Sequence, residues 1–154
     1  MNNPTLVHGN FTTERIYDAA PTRVFEAWSN PELKARWFIG PEGWTAVKRE
    51  LDFRIGGQER LHGRFPDGSE TVFTARYHDI ISNRRLIYVY DMHVNQTYLS
   101  VSLASVEIEA HGAGTRVIFT EQAVYLNGKD GTASRKQGTG AHLDRLGEQL
   151  QKRR

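Results

Sequence analysis

Two carboxylates, Glu59 and Glu121, carry the main chemical interest of this sequence because each alternates with apolar residues. In a half-buried β-strand every second side chain faces the core, which places Glu59 with Leu61 and Glu121 with Phe119 on inward positions. A dry interior strongly disfavours an unpaired charge. Each carboxylate must therefore be paired, protonated or in contact with a cavity.

Three interpretations of these acids stay open. They form structural ion pairs with Arg54, Arg64 or Arg135, or the register is shifted by one residue and they face outward. They anchor the polar part of a ligand in an apolar pocket. If they lie within a few ångströms of each other, one keeps its proton near neutral pH and acts as a general acid, as in a cyclase- or hydrolase-like enzyme.

Aromatic, small and polar residues share the inward positions with the two acids and predict a binding pocket. The candidate ligand-binding residues are Trp37, Glu59, Phe73, Tyr77, Tyr88, Tyr90, Met92, Ser102, Glu121 and Arg135. A set this rich in aromatics with a few polar groups favours a small, mostly apolar molecule that carries polar groups.

Other chemical patterns are missing from the sequence. There is no cysteine, and hence no thiol nucleophile or disulfide, and no Gly-x-Ser-x-Gly motif. Histidines without the i, i+4 spacing of a metal site are expected to be solvated: His62, His78, His93, His111 and His142. No metal or cofactor is predicted.

The charge pattern argues against a nucleic-acid partner. The 154 residues include 20 Lys and Arg against 18 Asp and Glu, and the last three residues (152–154) supply three of the positive charges. Without them, no basic run remains to contact phosphates. No apolar run is long enough to span a membrane, and Met1–Asn10 has no signal-peptide core, so a cytoplasmic protein without a membrane partner is expected.

The elements that must position these residues are two short helices among strands. A first strand is predicted over 10–18, and Pro21 and Pro31 each mark the first turn of a short helix, the second capped by Asn30. Turn residues then separate six further strands, over 44–55, 58–65, 70–81, 85–94, 97–109 and 115–126.

A final helix is predicted over 132–152, with Leu143, Leu146 and Leu150 on its buried stripe. Its first half is poor in apolar residues and contains Gly138 and Gly140. Either the helix starts late or is broken, or the small residues leave room for a ligand where it crosses the sheet.

A spaced set of short motifs runs through nearly the whole chain. Its members are Ala20-Pro21, Val24-Phe25, Ala27-Trp28-Ser29, Pro31-Glu32, Trp37-Phe38, Gly40-Pro41, Asp52-x-Arg54-x-Gly56-Gly57, Asp67-Gly68, Gly114-Thr115-Arg116, Gly138 and Leu143-Asp144-x-Leu146. This set resembles the bacterial proteins grouped with the activator of the heat-shock-protein-90 ATPase, within the START-like, helix-grip superfamily.

The resemblance implies an α+β, helix-grip fold: a curved antiparallel sheet of about seven strands around a long C-terminal helix, with two short helices after the first strand. It implies one START-like domain over 1–154, with an ordered core of about 10–151 and a basic tail at 152–154. Two departures from the family pattern stand out. Glu59 replaces a usual aromatic and makes the pocket more polar, and Thr139 replaces a common Trp and makes it larger.

The residues and the resemblance together predict three alternative functions for this chain. The first is a binding protein with a partly polar internal cavity, the second an enzyme that uses Glu59 and Glu121, and the third a chaperone-associated interaction protein. A homodimer is a further expectation, since Leu99, Val101 and Leu103 point away from the core, although an ordinary β surface explains the same row.

Overall fold

The computed structural model describes residues 5–152, so Arg153 and Arg154 of the predicted tail lie outside the described residues. The elements in chain order are β1 (Val7–Tyr17), α1 (Pro21–Ser29), α2 (Pro31–Trp37), β2 (Thr45–Leu51), β3 (Gln58–Arg64), β4 (Glu70–Ile81), β5 (Arg85–Val94), β6 (Thr97–His111), β7 (Gly114–Tyr125) and α3 (Thr132–Lys152). The strands form one sheet in the order β1-β7-β6-β5-β4-β3-β2, with every neighbouring pair antiparallel. The predicted α+β, helix-grip architecture is confirmed.

The short helix α2 starts where the sequence predicts. The side-chain oxygen of Asn30 accepts hydrogen bonds from the backbone N–H groups of Glu32 and Leu33, at 2.9 and 3.2 Å. These bonds satisfy two of the donors that a helix start leaves free. The buried residues of α2 are Lys34 and Trp37, whereas Leu33 is only half-buried.

The alternation along the strands follows the predicted faces, and both carboxylates point inward. Glu59 is paired with Ala75 across β3 and β4, and Glu121 is paired with Ala104 across β6 and β7. All four residues are buried. The alternative of a one-residue register shift is therefore wrong.

The helix α3 is continuous from Thr132, so the expectation of a late or broken start is wrong. Its first turn is supported by Asp130, whose carboxylate accepts a hydrogen bond from the backbone N–H of Thr132 at 3.0 Å. The predicted stripe of Leu143, Leu146 and Leu150 is buried. The polar first half is tolerated because most of its residues are exposed to solvent, while Arg135 reaches polar partners on the sheet.

The outward row on β6 is mixed in its exposure. Leu103 is 41% exposed, while Leu99 and Val101 are half-buried. A second copy of the chain packed against this row stays a prediction, and a sedimentation profile at micromolar concentration tests it.

Candidate functional site

A pocket of about 330 Å³, here called the central pocket, lies between the inner face of the sheet, α2 and α3. Its wall is rich in aromatic residues. The rings come from Trp28, Trp37, Phe38, Trp44, Phe65, Phe73, Tyr88, Tyr90 and Phe119. They pack in a chain, with ring centroids 5.0 Å apart for Phe38 and Phe73 and 4.8 Å apart for Phe73 and Tyr90. The α3 side contributes small residues, among them Gly138 and Thr139.

One wall of the central pocket carries the Arg135 cluster, made of Tyr90, Ser100, Ser102, Glu121 and Arg135. The Arg135 guanidinium donates to Glu121 at 3.1 Å, to the Tyr90 hydroxyl at 2.8 Å and to the Ser100 hydroxyl at 2.9 Å. It also lies 3.3 Å from the Ser102 hydroxyl. Glu121 is 1% exposed and Arg135 16%. The cation reaches into the sheet from α3 and balances a fully buried carboxylate.

Burial sets the protonation behaviour of this cluster. Desolvation raises the pKa of Glu121, and the nearby charge of Arg135 and the hydrogen bond from Tyr90 oppose that rise. Desolvation also raises the pKa of Tyr90, and the charge of the neighbouring Glu121 carboxylate raises it further. Tyr90 therefore keeps its proton and donates it to both carboxylate oxygens, each at 2.9 Å.

A second buried group, the Lys34 cluster, joins Lys34, Glu59 and Tyr77. The Lys34 ammonium donates to Glu59 at 2.6 Å and to the Tyr77 hydroxyl at 3.2 Å, and that hydroxyl donates to Glu59 at 2.7 Å. The ammonium also lies 4.8 Å from the centre of the Phe38 ring. The group is closed, since each member already holds a partner.

The two carboxylates belong to separate clusters. Glu59 lies on β3 and Glu121 on β7, with three strands between them. Neighbouring strands are about 4.8 Å apart, so the carboxylates are too far apart along the sheet to share a proton. Both form ion pairs, as one interpretation predicted for them. For Glu121 the predicted partner Arg135 is confirmed. The other two candidates, Arg54 and Arg64, pair with other carboxylates. The partner of Glu59 is Lys34.

Residues 38–44, here called the closing segment, form part of the wall of the central pocket. Its carbonyl at Ile39 accepts from His142 at 3.0 Å and from Arg145 at 3.1 Å, both on α3. At its other end, Trp44 packs against Gly63 so closely that a Cβ there would lie 1.9 Å from the indole. The Trp44 indole N–H donates to Thr71 at 2.9 Å. The segment is thus fixed to both the helix and the sheet.

The predicted site residues fall into two groups. Those that line the central pocket are Trp37, Phe73, Tyr88, Tyr90, Met92, Glu121 and Arg135. The other three, Glu59, Tyr77 and Ser102, do not line it but hydrogen-bond to residues that do.

The sequence analysis did not identify five polar residues of the pocket wall: Lys34, Thr71, Ser134, His142 and Arg145. The expectation that His142 is solvated is wrong, because the residue is half-buried, lines the central pocket and packs its ring against Phe38. Desolvation, with a smaller contribution from Arg145, lowers its pKa to about 4. The imidazole is therefore neutral at pH 7 and donates its Nε2 proton to Ile39.

Residues 5–152 contain no group of three or more His, Cys, Asp or Glu side chains arranged to hold a metal ion. Within the same range, no helix combines the length and the apolar character needed to cross a membrane.

Comparison with known proteins agrees with this architecture. A family model described as Activator of Hsp90 ATPase homolog 1-like protein matches residues 18–151. A protein from Rhizobium leguminosarum is 41% identical, with a TM-score of 0.92 over 97% of this chain and 98% of that one. A protein from Rhizobium loti is 33% identical, with a TM-score of 0.88 over 95% and 99%.

A more distant solution structure, of an AHSA1-like protein from Aeromonas hydrophila, shares the fold at 20% identity, with a TM-score of 0.70 over 93% of this chain and 92% of that one. A search of curated proteins finds no match. Because the family model spans most of its length, the chain belongs to the Activator of Hsp90 ATPase homolog 1-like family.

Proposed function

We propose that this protein binds a small, mostly apolar molecule in the central pocket. The observation that carries the proposal is the pocket itself, about 330 Å³ in volume, with an aromatic wall and a few polar groups. Small-molecule sites are typically cavities of this size class in which apolar walls supply affinity and a few polar groups fix orientation.

The Arg135 cluster supplies the polar anchor. Tyr90, Glu121 and Arg135 all line the pocket, and their mutual hydrogen bonds hold them in one arrangement before a ligand arrives. Such prior ordering reduces the entropy lost on binding. A ligand group that both donates and accepts hydrogen bonds would fit beside this cluster.

The separation of Glu59 from Glu121 supports binding over catalysis by that pair. The carboxylate of Glu59 is held by Lys34 and Tyr77 and does not line the central pocket. A general acid or base must lie within hydrogen-bond reach of the group it serves. Glu121 alone faces the pocket, in the position of an anchor.

Thr139 gives the sharpest test of the pocket. It is 8% exposed and lines the pocket from α3, so an indole at this position would occupy the space we assign to the ligand. Thr139→Val has nearly the shape of the native side chain and serves as the matched control. We expect both variants to fold, because the pocket gives the new ring room.

The experiment is a fluorescence titration with N-phenylnaphthylamine, an uncharged apolar probe. The wild type and Thr139→Val are expected to bind it saturably, and Thr139→Trp is expected to lose at least about tenfold in affinity. Absence of saturable binding to the wild type, or equal binding by Thr139→Trp, would contradict the proposal.

The family description refers to the Hsp90 ATPase, and a chaperone contact stays a prediction for this chain. Co-purification with the chaperone tests it. A cytoplasmic location likewise stays a prediction, and cell fractionation tests it.

A further inference from the structure

The charges around the central pocket do not cancel. Four charged side chains line it: Lys34, Glu121, Arg135 and Arg145. Lys34 is balanced by Glu59 behind it, and Arg135 is balanced by Glu121. The charge of Arg145 is not balanced in this way, since none of the ion pairs among residues 5–152 involves it.

The carboxylates nearest to Arg145 in the sequence do not neutralise it. Asp144 pairs with Arg15 on β1 at 2.7 Å. Glu148, one turn further along α3, is exposed and forms no ion pair with Arg145. The charge of Arg145 at the pocket wall is thus available to a bound molecule.

Hydrogen bonding leaves Arg145 with donors to spare. Its guanidinium donates to the carbonyl of Ile39 at 3.1 Å and, over a longer 3.4 Å, to that of Ala141. A guanidinium carries five N–H donors in a planar fork suited to carboxylate-like groups. The hydrogen bond to Ile39 fixes the Arg145 side chain at the pocket and leaves other N–H donors of its guanidinium available.

The neighbouring residue on α3 cannot supply a compensating charge. His142 also lines the pocket, one turn before Arg145, and it is neutral at pH 7. The charge of Arg145 contributes to the lowered pKa of His142, so the two side chains are close and the local field comes from that guanidinium. An uncharged ligand would leave that field unbalanced in a partly desolvated site.

We infer that the ligand is an amphipathic anion, with an apolar body among the aromatic rings and a carboxylate-like group bound by Arg145. This inference rests on the proposed function and deepens it by assigning the ligand's charge. The observation that supports this inference is the net positive charge of the side chains that line the central pocket.

The test compares two probes of the same shape. N-phenylnaphthylamine is uncharged, and anilinonaphthalenesulfonate has the same body with one added sulfonate. Both are titrated into the wild type, Arg145→Gln and Arg60→Gln. The control removes one positive charge at the exposed residue Arg60, which alternates with the inward Glu59 and Leu61 and therefore lies on the opposite face of the sheet.

The wild type and Arg60→Gln are expected to bind the sulfonate at least about tenfold more tightly than the uncharged probe, as charged hydrogen bonds imply. Arg145→Gln should lose that preference and bind the two probes about equally, and its far-ultraviolet circular dichroism, which reports whether it is folded, should match that of the wild type. In the wild type, added salt should reduce the preference, a measurement that needs no variant.

Equal affinities for the two probes in the wild type, or a preference that survives in Arg145→Gln, would overturn the inference. In those cases the uncharged probe still binds and the proposed function stands. If neither probe binds the wild type, the proposed function fails, and the inference fails with it.

Discussion

The ammonium of Lys34 lies 2.6 Å from a carboxylate oxygen of Glu59, and the two side chains are only 4% and 6% exposed. Desolvation is the largest influence on Lys34 and lowers its pKa, while the charge of Glu59 opposes that change. Each charge of the pair therefore offsets part of the desolvation cost of burying the other.

Removing one member of this pair should destabilise the fold more than replacing both members together. Lys34→Met or Glu59→Leu alone leaves an uncompensated buried charge, and we expect each to lower the free energy of unfolding by about 3–5 kcal/mol. The double variant should lose much less than the sum of the two. Urea denaturation of all four proteins measures the coupling.

An exposed pair provides the control for that cycle. Arg64 and Glu70 lie 2.7 Å apart but are 51% and 38% exposed, so their removal should leave the urea midpoint nearly unchanged. Additive losses for the buried pair would contradict the account of the Lys34 cluster.

Removal of Arg135 should make stability depend more strongly on pH. Arg135 opposes the desolvation that raises the Glu121 pKa, so in Arg135→Met that pKa rises further. The folded state then holds a proton that the unfolded state releases, and stability falls as pH rises. We expect a larger deficit relative to the wild type at about pH 8 than at about pH 5. A constant deficit across that range would argue against a buried, uncompensated carboxylate.

His142 should weaken the protein in acid. Its pKa is about 4 in the folded state against 6.5 as the ordinary value, so the neutral form is favoured by folding. The stabilisation is complete above pH 6.5 and is lost as pH falls toward 4, because the unfolded state takes up the proton first. The loss is at most about 3 kcal/mol, because solvent at the half-buried ring screens part of the effect.

Replacement of His142 tests this directly. His142→Gln keeps a donor for Ile39 but does not titrate, so its free energy of unfolding should depend less on pH over that interval. The exposed His111 gives the control, and His111→Gln should follow the wild-type profile. Identical profiles for all three proteins would show that His142 is not desolvated as described.

Two glycines of α3 should respond in opposite ways to alanine. A Cβ at Gly138 meets no atom within 4 Å, whereas a Cβ at Gly147 would lie 3.1 Å from the buried ring of Tyr17. Gly138→Ala should therefore stabilise the protein by about 0.5–1 kcal/mol through helix propensity. Gly147→Ala should gain less or lose, because Tyr17 must shift. Thermal unfolding of both variants compares them, and equal gains would contradict the close packing at Gly147.

The strands and the inward acids could be predicted because a period of two is a local signal. Glu59 and Glu121 alternate with apolar neighbours, and both are buried. The role of Gly138 is ambiguous in the sequence alone, since the placement of a glycine does not distinguish a broken helix from a helix that leaves space for a ligand.

Lys34 and His142 could not be placed in the same way, because their burial depends on contacts far along the chain. Lys34 lies on a seven-residue helix among Glu32 and Arg36, a pattern typical of a solvated face, and its partner is 25 residues away. One signal was present: Lys34 and Trp37 are three residues apart and share a helix face. His142 is half-buried only because Ile39 folds back onto α3.

A crystal structure of the complex with N-phenylnaphthylamine would locate the ligand itself. We expect electron density for the probe between Phe73 and Tyr90 on the sheet and Gly138 and Thr139 on α3. A pocket filled by protein side chains, or a probe bound only on the outer face of the sheet, would contradict this expectation.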